Sequence, residues 1–229
     1  DRGFEWIVDL WGADHHGYVP RMKSALQAMG YDENVFKVML IQFVSLKRDG
    51  DKVSMSTRSG EFETLADVVK EVGVDATRFF FLMRSSDTHL DFDLELAKKA
   101  SADNPVFYIQ YAHARICSIF RTATKQGIKL RDAVDVDLSP LKNEEEFIMI
   151  KKILSFTEII EKSAELLEVH RVPFYLQDLV GTFHRYYSRN RIVSDDHDLS
   201  FARLFLMNCL RITICNGLSV MGVSSPERM

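Results

Sequence analysis

The chain has 229 residues, of which 46% are hydrophobic, 27% charged and 11% aromatic, room for one large domain or two modest ones with an ample core. Lys+Arg 29 against Asp+Glu 33 gives a formal charge of −4. That balance excludes a polybasic nucleic-acid tail, intrinsic disorder and a disulfide-stapled secreted scaffold, but not a local basic face.

In chain order, FEWIVDLWG is an apolar run ending at Gly12 and predicts a buried strand. Pro20 opens a helical stretch with Met22, Ala25, Leu26 and Met29 on one face, and Gly30 is placed to end it. VFKVMLIQFVSL reads as extended, followed by the turn RDGD and a second short extended piece. Strand, helix, strand is a βαβ unit, and it predicts a parallel sheet. The few strands, and a start at Asp1 rather than Met, suggest a piece of a longer protein whose α/β domain begins upstream. From Thr64 helices take over. Thr64 to Asp67 resembles a capping box, Gly73 ends that helix, and Asp75 is placed to cap DATRFFFLMRS, whose three consecutive Phe residues predict deep burial. Asn104-Pro105 starts a helix running to about Lys125, and helical patterns resume at about 143–170, 173–192 and 199–221. The fold class expected is mainly α, a helical bundle packed on the end of an α/β domain.

Cys117, Cys209 and Cys215 are an odd number without a CxxC pair and read as reduced, apolar-packed thiols. The most apolar stretch, RLFLMNCLRITICNGLSVM, is interrupted by Arg203, Asn208, Arg211 and Asn216, so no membrane span is expected. Without a signal-peptide pattern, the expected setting is cytoplasmic.

Three groups of residues could carry chemistry. Gly12-Ala13-Asp14-His15-His16-Gly17-Tyr18 follows the first predicted strand, and α/β sheets bind ligands at the carboxyl ends of their strands. Asp14 could accept from ribose hydroxyls while His15 and His16 contact phosphate or carboxylate. A metal site and a structural role are the other readings, although adjacent residues on an extended segment point opposite ways and need a tight turn to share one ion. The second group, Lys52 to Gly60, combines hydroxyls with Lys52 and Arg58; it reads as a triphosphate loop or as an ordinary polar turn. The third is a pair of helical faces, one with Tyr111 and Arg115 near Gln110 and His113, the other with His184, Tyr187 and Arg191 beside Arg185 and Arg189. Tyr or His beside Arg suits stacked bases and neutralised phosphates, against the alternative of plain solvated surface. Residues 1–100 carry 13 basic and 17 acidic side chains and residues 101–229 carry 16 of each, so RNA binding by the helical half would use a localised patch.

WGADHHGYVPRM, MSTRSGEFETLADVVKEVG, DATRFFFLMRSSDTHLDFDLELAKK, NPVFYIQYAHARICSI and GVSSPERM, in this order and over the whole chain, resemble the bacterial arginyl-tRNA synthetases. The resemblance implies the carboxy-terminal part of such an enzyme. Residues 1–62 would be the end of a class I Rossmann catalytic domain with a degenerate KMSKS-like loop, 63–100 a helical connecting region, and 101–229 an α-helical anticodon-binding domain. It implies that Gly12 and Asp14 contact the ATP ribose, that His15 and His16 lie beside the adenylate or arginine, and that the backbone around Met39 lies along the adenine. Met55 and Ser56 match the Lys-Met-Ser-Lys-Ser motif and Arg58 takes its last position, but Ser54 and Thr57 stand where the lysines would be. Charge stabilisation on the α-phosphate then falls to Arg58, Lys52 or a group elsewhere. Tyr111, Arg115, Tyr187, Arg191 and the terminal Met229 are implied as tRNA contacts.

The intact parent would ligate arginine to its tRNA through arginyl-adenylate with ATP and Mg²⁺, as a monomer without membrane attachment. No His-x-Gly-His motif occurs in these 229 residues, so the chain alone is expected to bind tRNA without aminoacylating it and to hold no tight cofactor. The alternatives are another class I synthetase with a related anticodon domain, a metal-dependent hydrolase built on Asp14, His15 and His16, and a helical bundle that binds no nucleic acid.

Overall fold

A computed structural model describes residues 3–53, 63–128 and 135–229. By its contacts the chain divides into two units, one of residues 1–62 with 84–94, the other of residues 63–83 with 95–229.

The first unit opens with strand β1 (Ile7–Gly12), a 3-10 helix (Ala13–Tyr18), helix α1 (Val19–Ala28) and strand β2 (Phe36–Ile41). β1 and β2 are parallel, in register from Ile7 opposite Phe36 to Gly12 opposite Ile41, so the βαβ reading holds. Pro20 lies in the first turn of α1, where its missing N–H costs nothing, and Gly30 at φ 85° takes the chain out of the helix. β1 is not the buried strand expected: Leu10 is 68% exposed, and Ile7 and Val8 are also open. β2 is its single strand neighbour among the described residues, and apolar side chains on a strand paired along one edge stay wet unless another layer covers them.

The extended run after Val35 is two strands, because Gln42 leaves the ladder and donates to the Ser86 carbonyl (2.9 Å). β3 (Val44–Arg48) turns through Asp49 and Gly50, at φ 53° and 89°, into β4 (Asp51–Lys52). Two consecutive left-handed residues are what a tight hairpin requires, and Asp-Gly supplies them cheaply. β5 (Leu90–Asp93) adds to the other edge of β3 in parallel. Its period-2 burial, with Leu90 and Phe92 inside and Asp91 outside paired to Lys47 (2.8 Å), marks a strand in a stretch read as helical.

The second unit is all helix: α2 (Leu65–Val72), α3 (Val74–Leu82), α4 (Leu94–Lys98, counted from Glu95), α5 (Pro105–Lys125), α6 (Glu144–Leu154), α7 (Phe156–Leu166), α8 (Arg171–Arg189) and α9 (His197–Val220). The capping box is present, with Asp67 N donating to Thr64 Oγ1 and Thr64 N to Asp67 Oδ2, both 3.1 Å. Asp75 does not cap α3, which already starts at Val74 behind Gly73. Nor are all three Phe residues of α3 buried: Phe79 is fully inside, Phe80 nearly so, and Phe81 is 36% exposed, since three consecutive helical positions sweep about 200°. The helix expected over 143–170 is interrupted at Ser155, whose hydroxyl donates back to the Lys152 carbonyl (2.8 Å).

The bundle's core runs along α5, α8 and α9, where Ile109, Ile116, Leu176, Leu179, Phe183, Leu210 and Ile214 are sealed from solvent, each worth about 1.5–3 kcal/mol of burial. At Gly217 a Cβ would lie 2.8 Å from Leu176 Cδ2, a close approach that admits only glycine without repacking. One charged group is sealed in with them. Glu146, with no exposed surface, accepts from Tyr186 Oη (2.5 Å) and Arg203 Nε (2.9 Å) on one oxygen and from Asn143 N (3.0 Å) on the other. Burial, then the carboxylate, pushes the Tyr186 hydroxyl pKa well up, so it stays a donor. Arg203 also donates to the Arg191 carbonyl (2.7 Å), tying α9 to the chain just past α8. All three cysteines are free thiols, Cys117 being buried. Among the described residues no helix is long and apolar enough to cross a membrane.

Glu146→Ala strands the Arg203 guanidinium, whose side chain is 13% exposed, and should cost the helical unit about 3–5 kcal/mol. Tyr186→Phe, which removes one of three donors, should cost about 1–3 kcal/mol. Urea unfolding followed by far-UV circular dichroism measures both, and equal losses from the two variants would contradict the network.

Candidate nucleic-acid interface

Helices α5 and α8 bring two of the predicted faces together. On α5, Phe107, Tyr111 and Arg115 follow at i, i+4 and i+8, which stacks them along one stripe. On α8, His184 and Tyr187 are one turn apart. The Arg115 guanidinium lies 5.1 Å from the centre of the Tyr111 ring and 4.7 Å from that of Tyr187, between two π faces from different helices. Phe107 and Tyr111 are 6.1 Å apart and within 6° of parallel; Tyr111 and His184 are 6.0 Å apart and within 16°. Tyr111 is 37% exposed and Arg115 half-buried. Among the described residues no carboxylate lies in ion-pair range of Arg115, so its charge is oriented but not neutralised. Each cation–π contact is worth about 0.5–1 kcal/mol at such a site, enough to fix the rings before a ligand arrives.

His184 stands behind this face. Its ring is 4.4 Å from that of Tyr108, and Nε2 is 3.5 Å from the Tyr108 carbonyl oxygen. Burial holds its pKa below the ordinary histidine value, and the Arg115 charge adds to that, against the opposing effect of the carbonyl. A neutral imidazole therefore backs the Tyr111 ring.

Other predicted residues are placed differently. Arg191 is not on the face of His184 and Tyr187, because α8 ends at Arg189 and Asn190 is extended. Arg191 is exposed, its carbonyl held by Arg203. Gln110 and His113 do not flank Arg115 on the surface; both are buried, bonded to the chain's last residues. Arg189 is spent on Glu145 (3.5 Å). Met229 is 54% exposed at the end of that terminal segment. Phe107 and Tyr108 carry no charge signal in the sequence, and only the i, i+4 spacing to Tyr111 points to Phe107.

In the first unit, the Gly12 cluster does sit at the carboxyl ends of two parallel strands, since Gly12 pairs with Ile41. The 3-10 helix supplies the tight turn. A Cβ at Gly12 would lie 2.5 Å from Asp14 Oδ1, so glycine is what lets the carboxylate fold back over the strand end. Asp14 and His15 are each 58% exposed and 3.6 Å apart, whereas His16 Nδ1 is held by the Ala13 carbonyl (3.0 Å). His16 thus locks the turn, and Asp14 and His15 remain open to a ligand. Among the described residues no three metal-ligating side chains converge. Met39, half-buried on β2, pairs with Leu10 near the same strand end. Met55, Ser56 and Arg58, with Ser54 and Thr57, lie outside the described residues.

Residues 109–229 match the DALR anticodon binding domain family. Over its whole length the chain is 55% identical to a protein of Citrifermentans bemidjiense named arginine–tRNA ligase, and 47% identical to one of that name in Listeria monocytogenes. It covers 41% of each, so the chain spans about two fifths of the length of the curated relatives it matches. A solved structure described as an arginyl-tRNA synthetase from Campylobacter jejuni is similar over 100% of this chain and 49% of that one, with a TM-score of 0.88 and 35% identity. The Thermus thermophilus arginyl-tRNA synthetase shares the fold over 98% of this chain and 41% of its own, with a TM-score of 0.79 at 22% identity. The two ring-and-arginine helices, α5 and α8, both fall within the matched span, apart from the first turn of α5. By that match the chain belongs to the DALR anticodon binding domain family.

Proposed function

We propose that this chain is the anticodon-reading part of an arginine–tRNA ligase, with residues 101–229 as the reader, 63–100 as a helical connection and 1–62 as the end of the ATP-dependent catalytic domain. The observation that carries the reading is the Arg115 guanidinium held between Tyr111 and Tyr187. An unpaired base has a π face to lay on an exposed ring and a phosphate beside it that a fixed, unneutralised cation attracts. Bases of an anticodon loop are unpaired and splay outward, which a duplex does not allow. The neutral overall charge of the helical half fits such a local patch better than a general phosphate-binding surface. Met229 and Arg191 belong to the proposed contact set as flanking groups.

In the catalytic portion, the bare Cα of Gly12 and the open Asp14 carboxylate suit a ribose of ATP, with His15 toward the adenylate or arginine, His16 holding the turn and Met39 along the adenine. Met55, Ser56 and Arg58 would serve the triphosphate and its Mg²⁺. The whole ligase would act in the cytoplasm on arginine, ATP and tRNA, as a monomer, whereas this chain would bind tRNA without charging it.

Binding of the chain to an arginine-accepting tRNA, at two salt concentrations and beside the same tRNA with a substituted anticodon loop, tests the reading. Affinity should fall with salt and with the substitution. Tyr111→Ala and Tyr187→Ala should each weaken binding by about 1–3 kcal/mol, roughly 5- to 150-fold, for the natural loop only. Equal affinity for the two tRNAs would overturn the proposal.

The neutral state of His184 adds a pH dependence. Its folded pKa lies below the ordinary value of 6.5, so the unfolded chain binds its proton more readily. The stability His184 contributes is whole above about pH 6.5 and is lost as pH falls through the folded value. Unfolding measured from pH 7.5 to 5 should show the parent chain losing stability more steeply than His184→Gln, and parallel curves would refute a buried neutral imidazole.

A further inference from the structure

Residues 222–227 are bound along their length. Gly222, at φ 66°, ends α9, with its N–H on the Ser219 carbonyl and Val223 N on Leu218 O, both 2.9 Å. A Cβ at Gly222 would lie 2.7 Å from Arg78 Nη1, so α3 already meets the chain at this turn. Val223 is buried, and the next residue enters a polar knot. Ser224 N donates to Asp75 Oδ1 (3.0 Å) and Ser224 Oγ to Asp75 Oδ2. Gln110 Nε2, on α5, donates to the same Asp75 oxygen (2.8 Å) and to the Ser224 carbonyl (2.9 Å). Beyond the knot, His113 Nδ1 meets the Pro226 carbonyl (2.9 Å), and Arg121 Nη1 donates to the Glu227 carbonyl (3.1 Å).

Carbonyls 224, 226 and 227 therefore land on α5 residues 110, 113 and 121, so the tail runs in the direction of the helix. On a helical wheel, 110, 113, 117 and 121 form the stripe beside that of 107, 111 and 115, about 100° round the axis. The tail thus lies along the α5 stripe about 100° round from the one that carries Phe107, Tyr111 and Arg115. Asp75 is the one anion in the knot. Removing its charge leaves two tail donors and the Gln110 amide competing for weaker partners, and frees the segment that carries Met229.

We propose that Asp75 is a positioning residue for RNA recognition: through Ser224 and Gln110 it fixes the tail beside the α5 stripe, so that residues 225–229 form one wall of the face that receives an unpaired loop. This rests on the anticodon reading above. The pairings come from three segments far apart in the chain, and they join an exposed residue, Ser224, to a buried one, Gln110, beneath the tail.

The test uses the 229-residue chain as Asp75→Asn, as Ser224→Ala, as a variant lacking residues 225–229, and as Asp75→Asn combined with that deletion. Each is titrated with an arginine-accepting tRNA and with the same tRNA carrying a substituted anticodon loop, alongside thermal unfolding. Asp75→Asn should lower affinity for the natural loop about tenfold and leave the substituted one unchanged. Ser224→Ala should lose somewhat less. The deletion should lose at least as much as Asp75→Asn, and the combined variant no more than the deletion, because both act through the tail. Carboxypeptidase should release the terminal residues of Asp75→Asn faster than those of the parent. Additive losses, equal losses for both tRNAs tracking a lower Tm, or full discrimination by both Asp75→Asn and Ser224→Ala would overturn the inference alone. A parent chain that binds both tRNAs alike would overturn the anticodon reading and this inference with it.

Discussion

A carboxylate sealed from water sits where three helices meet. Glu146 cannot be left uncompensated at that depth, so α6, α8 and α9 must each present a partner to it: a backbone N–H from Asn143 at the start of α6, the Tyr186 hydroxyl from α8 and the Arg203 guanidinium from α9. Such a network adds little stability over a well-packed apolar core, but its directionality is strict. It fixes how far α8 is rotated about its own axis. Tyr186 must point inward to Glu146, and the next residue, 100° further round, is therefore turned toward α5. That residue is Tyr187, whose ring closes over Arg115.

The surface feature thus inherits its geometry from the buried one. Arg115 needs rings on both sides, and they come from helices joined by a long connection in sequence but by continuous packing in space. The sealed residues Ile109, Ile116, Leu179 and Phe183 set the spacing between α5 and α8. His184 belongs to the same arrangement. Desolvation keeps it uncharged, so Arg115 faces no second cation across the Tyr111 ring.

Local signals in the sequence carried well into the structure. The βαβ unit, the Thr64–Asp67 capping box and the Asn104-Pro105 start of α5 depend on near neighbours, and all three are present. Tyr111 and Arg115 could be paired because helical periodicity is itself local, whereas the closure of Tyr187 over Arg115 joins two helices and could not be read that way. What failed depends on distant partners. Asp75 looks like a cap, yet its acceptors serve Ser224, 149 residues away. Gln110 and His113 look like surface companions of Tyr111 until the tail covers them. The openness of β1 follows from how many strands flank it, which no pattern within IVDLWG encodes. The break at Ser155 and the end of α8 before Arg191 are small competitions, a serine hydroxyl and an Asn190 amide each bonding back to a helix carbonyl. Neither residue is a glycine or proline, the usual marks of a helix end.

Chain termini ordinarily fray, because nothing offsets the entropy of ordering them. Here the tail is held by donors and acceptors that would themselves be left unsatisfied without it. Gln110 and His113 are buried, so losing the Ser224 and Pro226 carbonyls would leave polar atoms without partners beside the α5 core. Tail and helix are thus each other's solution. Asp75 extends the dependence to α3, which lies ahead of the span matched by the family and yet packs in the same unit as residues 95–229. A chain shortened to begin after α3 would keep every ring of the α5–α8 face and lose the anion that holds the wall beside it. The proposed recognition surface would therefore depend on Asp75 as well as on the helices that carry the rings.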